Sequence, residues 1–149
     1  MSGTLTIIVG LCGSGKTWLL NKFHKAHPKA KIFDEGTSDC GYWKQRGIEQ
    51  REKIARYLLR GRDVYIADLW CGWKPRRKAV LWHIRKLVPD LRVVWLYFKN
   101  DLRAANNNCR LREKGRRDPK GHIRINKRWS KHLTAPKDAV ILEIHRLKQ

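Results

Sequence analysis

Acidic residues are scarce in this chain. Thirteen Asp and Glu stand against 34 Lys and Arg, which leaves a net charge of +21 at pH 7. Solubility alone calls for a net charge of only ~2–8 in a small domain, so the excess points to a partner. A chain this positive repels itself, and a polyanion relieves the repulsion. Nucleic acid is the first polyanion to expect and an anionic membrane surface the second. Long apolar runs are missing too. None approaches the ~20 residues of a bilayer-spanning helix, and the apolar opening of the chain reads as a strand rather than as a secretory signal. The four cysteines (Cys12, Cys40, Cys71 and Cys109) show no C-x-x-C spacing. That argues against a zinc site or a disulfide framework and for a reducing cytoplasm. The six histidines show no ligand spacing either. There are no internal repeats and no low-complexity linker, so the 149 residues are expected to form one domain, 1–149, with a core of its own.

What is present begins with Gly10-Leu-Cys-Gly-Ser-Gly-Lys-Thr17, which matches G-x-x-x-x-G-K-[ST] at every position. It follows the apolar run Leu5-Thr-Ile-Ile-Val9 and opens a helix-like segment over 16–26. A strand, a glycine loop and a helix in that order are the context in which the motif carries meaning. Gly10, Gly13 and Gly15 let the backbone curl until successive N–H groups face phosphate oxygens. The helix that follows adds the positive end of its dipole. Lys16 is expected to reach the β- and γ-phosphates, and the Thr17 hydroxyl to ligate Mg²⁺. Cys12, Ser14 and Trp18 complete the expected nucleotide site, with ATP and Mg²⁺ as its cofactors. The alternative is a plain glycine turn, which gives no reason for Lys-Thr directly after the last glycine.

The remainder alternates between strands and helices. Strands are expected at 4–9, 30–33, 63–67, 92–98 and 139–144. Helices are expected at 16–26, 47–60, 75–88, 101–114 and 122–133. Ile48, Ile54, Tyr57 and Leu58 share a face of the second helix, and Gly61 stops it. Pro75 suits a first helical turn, and Val80, Leu81, Ile84 and Leu87 should face inward with Trp82. The run Arg92-Val-Val-Trp-Leu-Tyr-Phe98 is apolar on both faces, as a central parallel strand is. The pattern predicts an α/β fold, a five-stranded parallel sheet with helices on both faces and a basic lid over about 101–133. Ligands on such sheets bind beyond the carboxyl ends of the strands, where the glycine loop, Asp34 and Asp68 all fall.

The phosphate-binding segment through Trp18 resembles that of polynucleotide kinases, and the similarity continues along the chain. Asp34 follows the second strand at the spacing of that family's catalytic aspartate. Val64-Tyr-Ile-Ala-Asp68, with Lys74-Pro75-Arg76-Arg77 after it, is similar to the family's third strand and the arginine pair beyond. Asn108-Cys-Arg-Leu-Arg112 resembles its lid helix, whose arginine grips the nucleotide phosphates. Only the kinase module is covered. The resemblance implies transfer of the γ-phosphoryl of ATP to a hydroxyl on a polynucleotide.

The chemistry of the residues agrees. An alcohol attacks well only when a carboxylate accepts its proton. Asp34 is the expected base, with Glu35 beside it as second choice; capping a helix or pairing with a lysine is the plainer reading. Asp68 is expected to help hold Mg²⁺ or to orient the acceptor, or more plainly to cap the strand end. Arg112, then Arg110, is expected to grip the phosphates, with Arg116 and Arg117 nearby. Arg76 and Arg77 are expected on the acceptor backbone. Trp43, Trp70, Trp73 and Trp129 are placed in or near loops, where aromatics among cations stack on unpaired bases. Trp82 and Trp95 are assigned to the core. DNA is expected ahead of RNA as the partner. The acceptor is either a terminal 5′-hydroxyl or the hydroxymethyl group of a modified pyrimidine such as 5-hydroxymethyluracil in viral DNA. Gly36-Thr37-Ser38, standing where the family has an arginine, favours the second. Two other classes are compatible with the loop: a kinase for a small nucleoside or nucleotide, and a non-catalytic nucleic-acid-binding domain.

Overall fold

In the computed structural model the described residues are 1–34, 47–112 and 119–148. Strand β1 (Thr4–Val9) lies at the centre of the sheet, parallel to β3 (Val64–Ala67) on one side and to β4 (Arg92–Phe98) on the other. Strand β2 (Lys31–Asp34) pairs with β3, and β5 (Val140–Leu142) pairs with β4, giving the order β2-β3-β1-β4-β5, all parallel. The central strand is apolar because both of its faces are covered. Leu5, Ile7 and Val9 point to one face and meet α2 (Gly47–Leu59) and α3 (Lys74–Leu87) through Ile54, Leu58, Val80, Leu81 and Ile84. Ile8 points to the other face, where α1 (Lys16–Ala26), α4 (Leu102–Arg112) and α5 (Lys120–Trp129) contribute Leu20, Ala104, Ala105 and Trp129. The five-stranded sheet with helices on both faces is therefore as expected.

Element ends follow local chemistry. Gly61 adopts φ 74°, and the N–H groups of Gly61 and Arg62 return to Leu58 and Tyr57, closing α2. Pro75 sits in the first turn of α3, where its missing N–H costs no bond. Four expectations need correction. Trp82 is 55% exposed, and Leu87 is exposed as well. Both lie on the outer side of α3, because the inner stripe of that helix is filled by Val80, Leu81 and Ile84. Strand β5 is only three residues long, not six, so it covers β4 at Leu96–Phe98 alone and leaves Arg92 and Val94 exposed. Trp129 closes α5 and is buried, not in a loop. Of the expected site residues, Glu35, Trp43, Arg116 and Arg117 lie outside the described residues, as does Cys40.

Candidate active site

Beyond the carboxyl end of β1 the chain turns through the glycine loop into α1. Gly13 and Gly15 take φ 84° and 107°, a region that a β-carbon makes strained. A β-carbon at Gly13 would lie 2.4 Å from the Ala105 carbonyl oxygen and 2.9 Å from Cys109 Sγ. At Gly10 it would lie 2.4 Å from Ser14 Oγ. The loop is thus a cradle closed to any larger residue. Ser14 Oγ is buried and, among the described residues, has no hydrogen-bond partner. A buried hydroxyl left without a partner is costly, and a phosphate oxygen at the loop would satisfy it. Lys16 Nζ is buried and donates to the carbonyl oxygens of Gly10 (2.8 Å) and Leu11 (3.1 Å), which holds its charge inside the bend.

The loop is also gripped from behind, by side chains that the sequence does not single out. Asn126 of α5 is fully buried. Its amide forms a reciprocal pair with one peptide unit: the Cys12 N–H donates to Asn126 Oδ1 (2.8 Å) and Asn126 Nδ2 donates to the Cys12 carbonyl (2.9 Å). The second Nδ2 proton goes to Asn106 Oδ1 (2.9 Å). Asn108 Nδ2 donates to the Gly13 carbonyl (3.0 Å) and the His145 carbonyl (2.7 Å), and the Cys109 thiol donates to the Cys12 carbonyl (3.2 Å). One expectation changes here. The Cys12 N–H faces Asn126, so it is not among the amides turned towards a phosphate. The run Ala104-Ala-Asn-Asn-Asn-Cys109 carried a signal, since three successive asparagines in a helix pay in propensity and call for a hydrogen-bonding role. Asn126 carried none.

Two carboxylates end neighbouring strands. Asp34 closes β2 and is half-buried; it accepts the Thr17 hydroxyl proton at 2.8 Å. Asp68 follows β3 and is fully buried. Its Oδ1 accepts from the Trp70 N–H (2.7 Å), and its Oδ2 from the Cys71 thiol (3.5 Å). Asp68 therefore holds the first residue of the short 3-10 turn Trp70–Gly72 and is turned into the fold, which corrects the expectation that it faces a metal or an acceptor. Among the described residues no group of three His, Cys, Asp or Glu side chains could hold a metal ion.

The basic and aromatic residues divide in the same way. Arg77 is buried, and its Nη1 donates to Thr134 O (2.6 Å), Gly72 O (3.3 Å) and Tyr97 Oη (3.3 Å). It ties the 3-10 turn to the segment after α5, which corrects its expected place on a polyanion. Arg76 lies over the Trp70 ring at 4.9 Å, and Trp70 meets Trp129 edge-on at 4.8 Å, so Trp70 belongs to a packed cluster rather than to an open stacking platform. Trp73 remains exposed beside His132. Trp18 is 64% exposed on α1, with Lys22 Nζ 4.9 Å from its ring. Arg110 and Arg112 are exposed in the last turn of α4, directly after the residues that grip the loop.

No family model and no curated protein matches this sequence. Solved structures do. A fungal RNA kinase aligns over 100% of this chain and 80% of its own, with TM-score 0.67 at 14% identity. A gluconokinase from Sinorhizobium meliloti 1021 aligns over 96% and 83%, with TM-score 0.63 at 11% identity. Kti12 from Chaetomium thermophilum, solved in complex with ADP-AlF3, aligns over 93% and 88%, with TM-score 0.60 at 14% identity. At such identities the likeness is one of fold alone.

Proposed function

We propose that this chain transfers the γ-phosphoryl group of ATP to a hydroxyl on a nucleic acid, either a terminal 5′-hydroxyl or the 5-hydroxymethyl group of a modified uracil in viral DNA. The observation that carries this reading is the 2.8 Å bond from Thr17 to Asp34 beside a glycine cradle that holds an unpartnered buried hydroxyl. Thr17 donates a hydrogen bond to Asp34 and keeps its oxygen lone pairs for a cation. A hydroxyl, phosphate oxygens and water suit Mg²⁺, which when bound neutralises charge on the phosphates. Thr17 would hold it, with Asp34 orienting that hydroxyl.

The acceptor oxygen forms a bond to the γ-phosphorus. The bond from that phosphorus to the bridging oxygen breaks, ADP leaves with the electron pair, and the alcohol proton passes to Asp34. The charge spread over the transferring oxygens is met by Lys16 and, from the end of α4, by Arg112 or Arg110. The +21 charge favours a polyanionic acceptor over a small neutral one. A fungal RNA kinase among the proteins of this fold is compatible with that choice.

The test uses γ-labelled ATP and two DNA duplexes, one linear with free 5′-hydroxyl ends and one covalently closed and rich in 5-hydroxymethyluracil. Label on either duplex supports the reading and selects the hydroxyl. Label on neither, with turnover on a small nucleoside, overturns it in favour of a small-molecule kinase.

A further inference from the structure

Helix α3 carries six Lys and Arg over Lys74–Leu87 and not one carboxylate. A face kept only for solubility mixes both signs. Lys78, Trp82, Arg85 and Lys86 stand at helical spacings along its outer side and, with Leu81, line an open groove on that face. Lys86 Nζ lies 3.5 Å from the centroid of the Trp82 ring, and His83 meets the ring edge-on at 4.7 Å. Among the described residues no carboxylate pairs with Lys78, Arg85 or Lys86. Positive charge is crowded here from two elements: desolvation, then Arg51 of α2, then Lys86 hold the His83 imidazole below its ordinary value. Helix α3 starts at the carboxyl edge of the sheet, directly after the 3-10 turn that Asp68 holds, and its outer stripe runs away from the loop.

We propose that this stripe is a second nucleic-acid contact, which holds a single strand leading away from the active site by stacking an unpaired base on Trp82 and by binding phosphates at Lys78, Arg85 and Lys86. The inference rests on the nucleic-acid reading above and names where the strand runs. A lone indole ringed by cations suits an unpaired base on a charged backbone. A membrane surface calls for a broad apolar face, and the apolar side of α3 is committed to the core.

The experiment measures binding of fluorescent single-stranded oligonucleotides by anisotropy, with short and long probes of about 4 and 16 nucleotides. Variants are Trp82→Ala, Trp82→Phe, Lys86→Glu and, as a charge-matched control in an exposed position elsewhere, Lys137→Glu. Circular dichroism checks that each is folded. For the long probe Trp82→Ala is expected to weaken binding about tenfold or more, and Trp82→Phe to restore most of it. Lys86→Glu should weaken binding more than Lys137→Glu and reduce the salt slope by about one. The short probe should be indifferent to all four. Equal binding by wild type and Trp82→Ala, equal losses in Lys86→Glu and Lys137→Glu, or a Trp82-dependent preference for anionic vesicles over oligonucleotides would each overturn the proposal. Phosphoryl transfer to DNA with no dependence on Trp82 removes this contact and leaves the proposed function. Trp82-dependent binding without transfer does the reverse.

Discussion

Asp34 and Asp68 end adjacent parallel strands, and Asp34 sits in register with Ala67, the residue before Asp68. Read along the chain, the two are equivalent: an apolar run, then a carboxylate at the lip of the sheet. In the fold they differ. The chain after Asp68 turns at once, so that the Trp70 N–H and the Cys71 thiol fold back onto the carboxylate and close it from solvent. Asp34 instead faces the first turn of α1 and receives the Thr17 hydroxyl. A strand end thus sets where a carboxylate sits, and the next few residues decide whether it serves the fold or the ligand.

The sharpest way to break this comparison is to neutralise each carboxylate in turn. Asp34→Asn should lower kcat about 10²–10⁴-fold, the range of a lost general base, with the melting temperature and the KM for ATP little changed. A variant that turns over like wild type would remove Asp34 from the chemistry. Asp68→Ala should act on stability. It leaves the part-buried Trp70 N–H without its acceptor, which costs about 1–3 kcal/mol. For a chain of this length that lowers the melting temperature by about 5–10 °C. Below that temperature its kcat should stay within a few-fold of wild type. If Asp68→Ala melts normally and loses turnover, the two residues have been assigned the wrong way round.

How much of this could be read beforehand follows from what each signal depends on. The sheet was legible because β1 is buried on both faces and reads as a largely apolar run, and the glycine loop because its geometry tolerates few sequences. Trp82 misled because an aromatic next to Leu81 and Ile84 looks like part of their stripe. One residue is about 100° of helix, and that turns Trp82 from the core into water. Arg77 misled because basic residues resemble one another in sequence, whereas its burial depends on carbonyls from Gly72 and Thr134, the latter 57 positions away. Asn126 was invisible for the same reason: its partner Cys12 is 114 residues distant.

A smaller effect separates the geometry of the loop from the chemistry of Asp34. Asn126→Ala removes both hydrogen bonds to the Cys12 peptide from the side away from Asp34. It should raise the KM for ATP about tenfold, some 1.4 kcal/mol, with kcat changed little. Asp34→Asn should show the opposite split. A fall in kcat matching that of Asp34→Asn would mean that the loop and the carboxylate act as one unit.

The smallest expected effect probes the buried ground beneath Asp68. The Tyr97 hydroxyl donates to the Cys71 carbonyl at 2.8 Å. Burial, chiefly, pushes its pKa from 10.0 up to about 12; Arg77 works against the rise, and Cys71 and Asp68 add to it. Because the folded value is the higher one, the neutral phenol contributes stability that is fully present below pH 10 and is lost as pH rises towards 12. Tyr97→Phe has no proton to lose there, so its melting temperature should fall less than that of wild type between pH 10 and 12. In Asp68→Asn the loss should still begin near pH 10 but end sooner and be smaller than in wild type, because one of the charges that hold the folded pKa up is gone. Parallel curves for all three proteins would mean that the phenol titrates as it does in the unfolded chain, and that the pocket under Asp68 admits water.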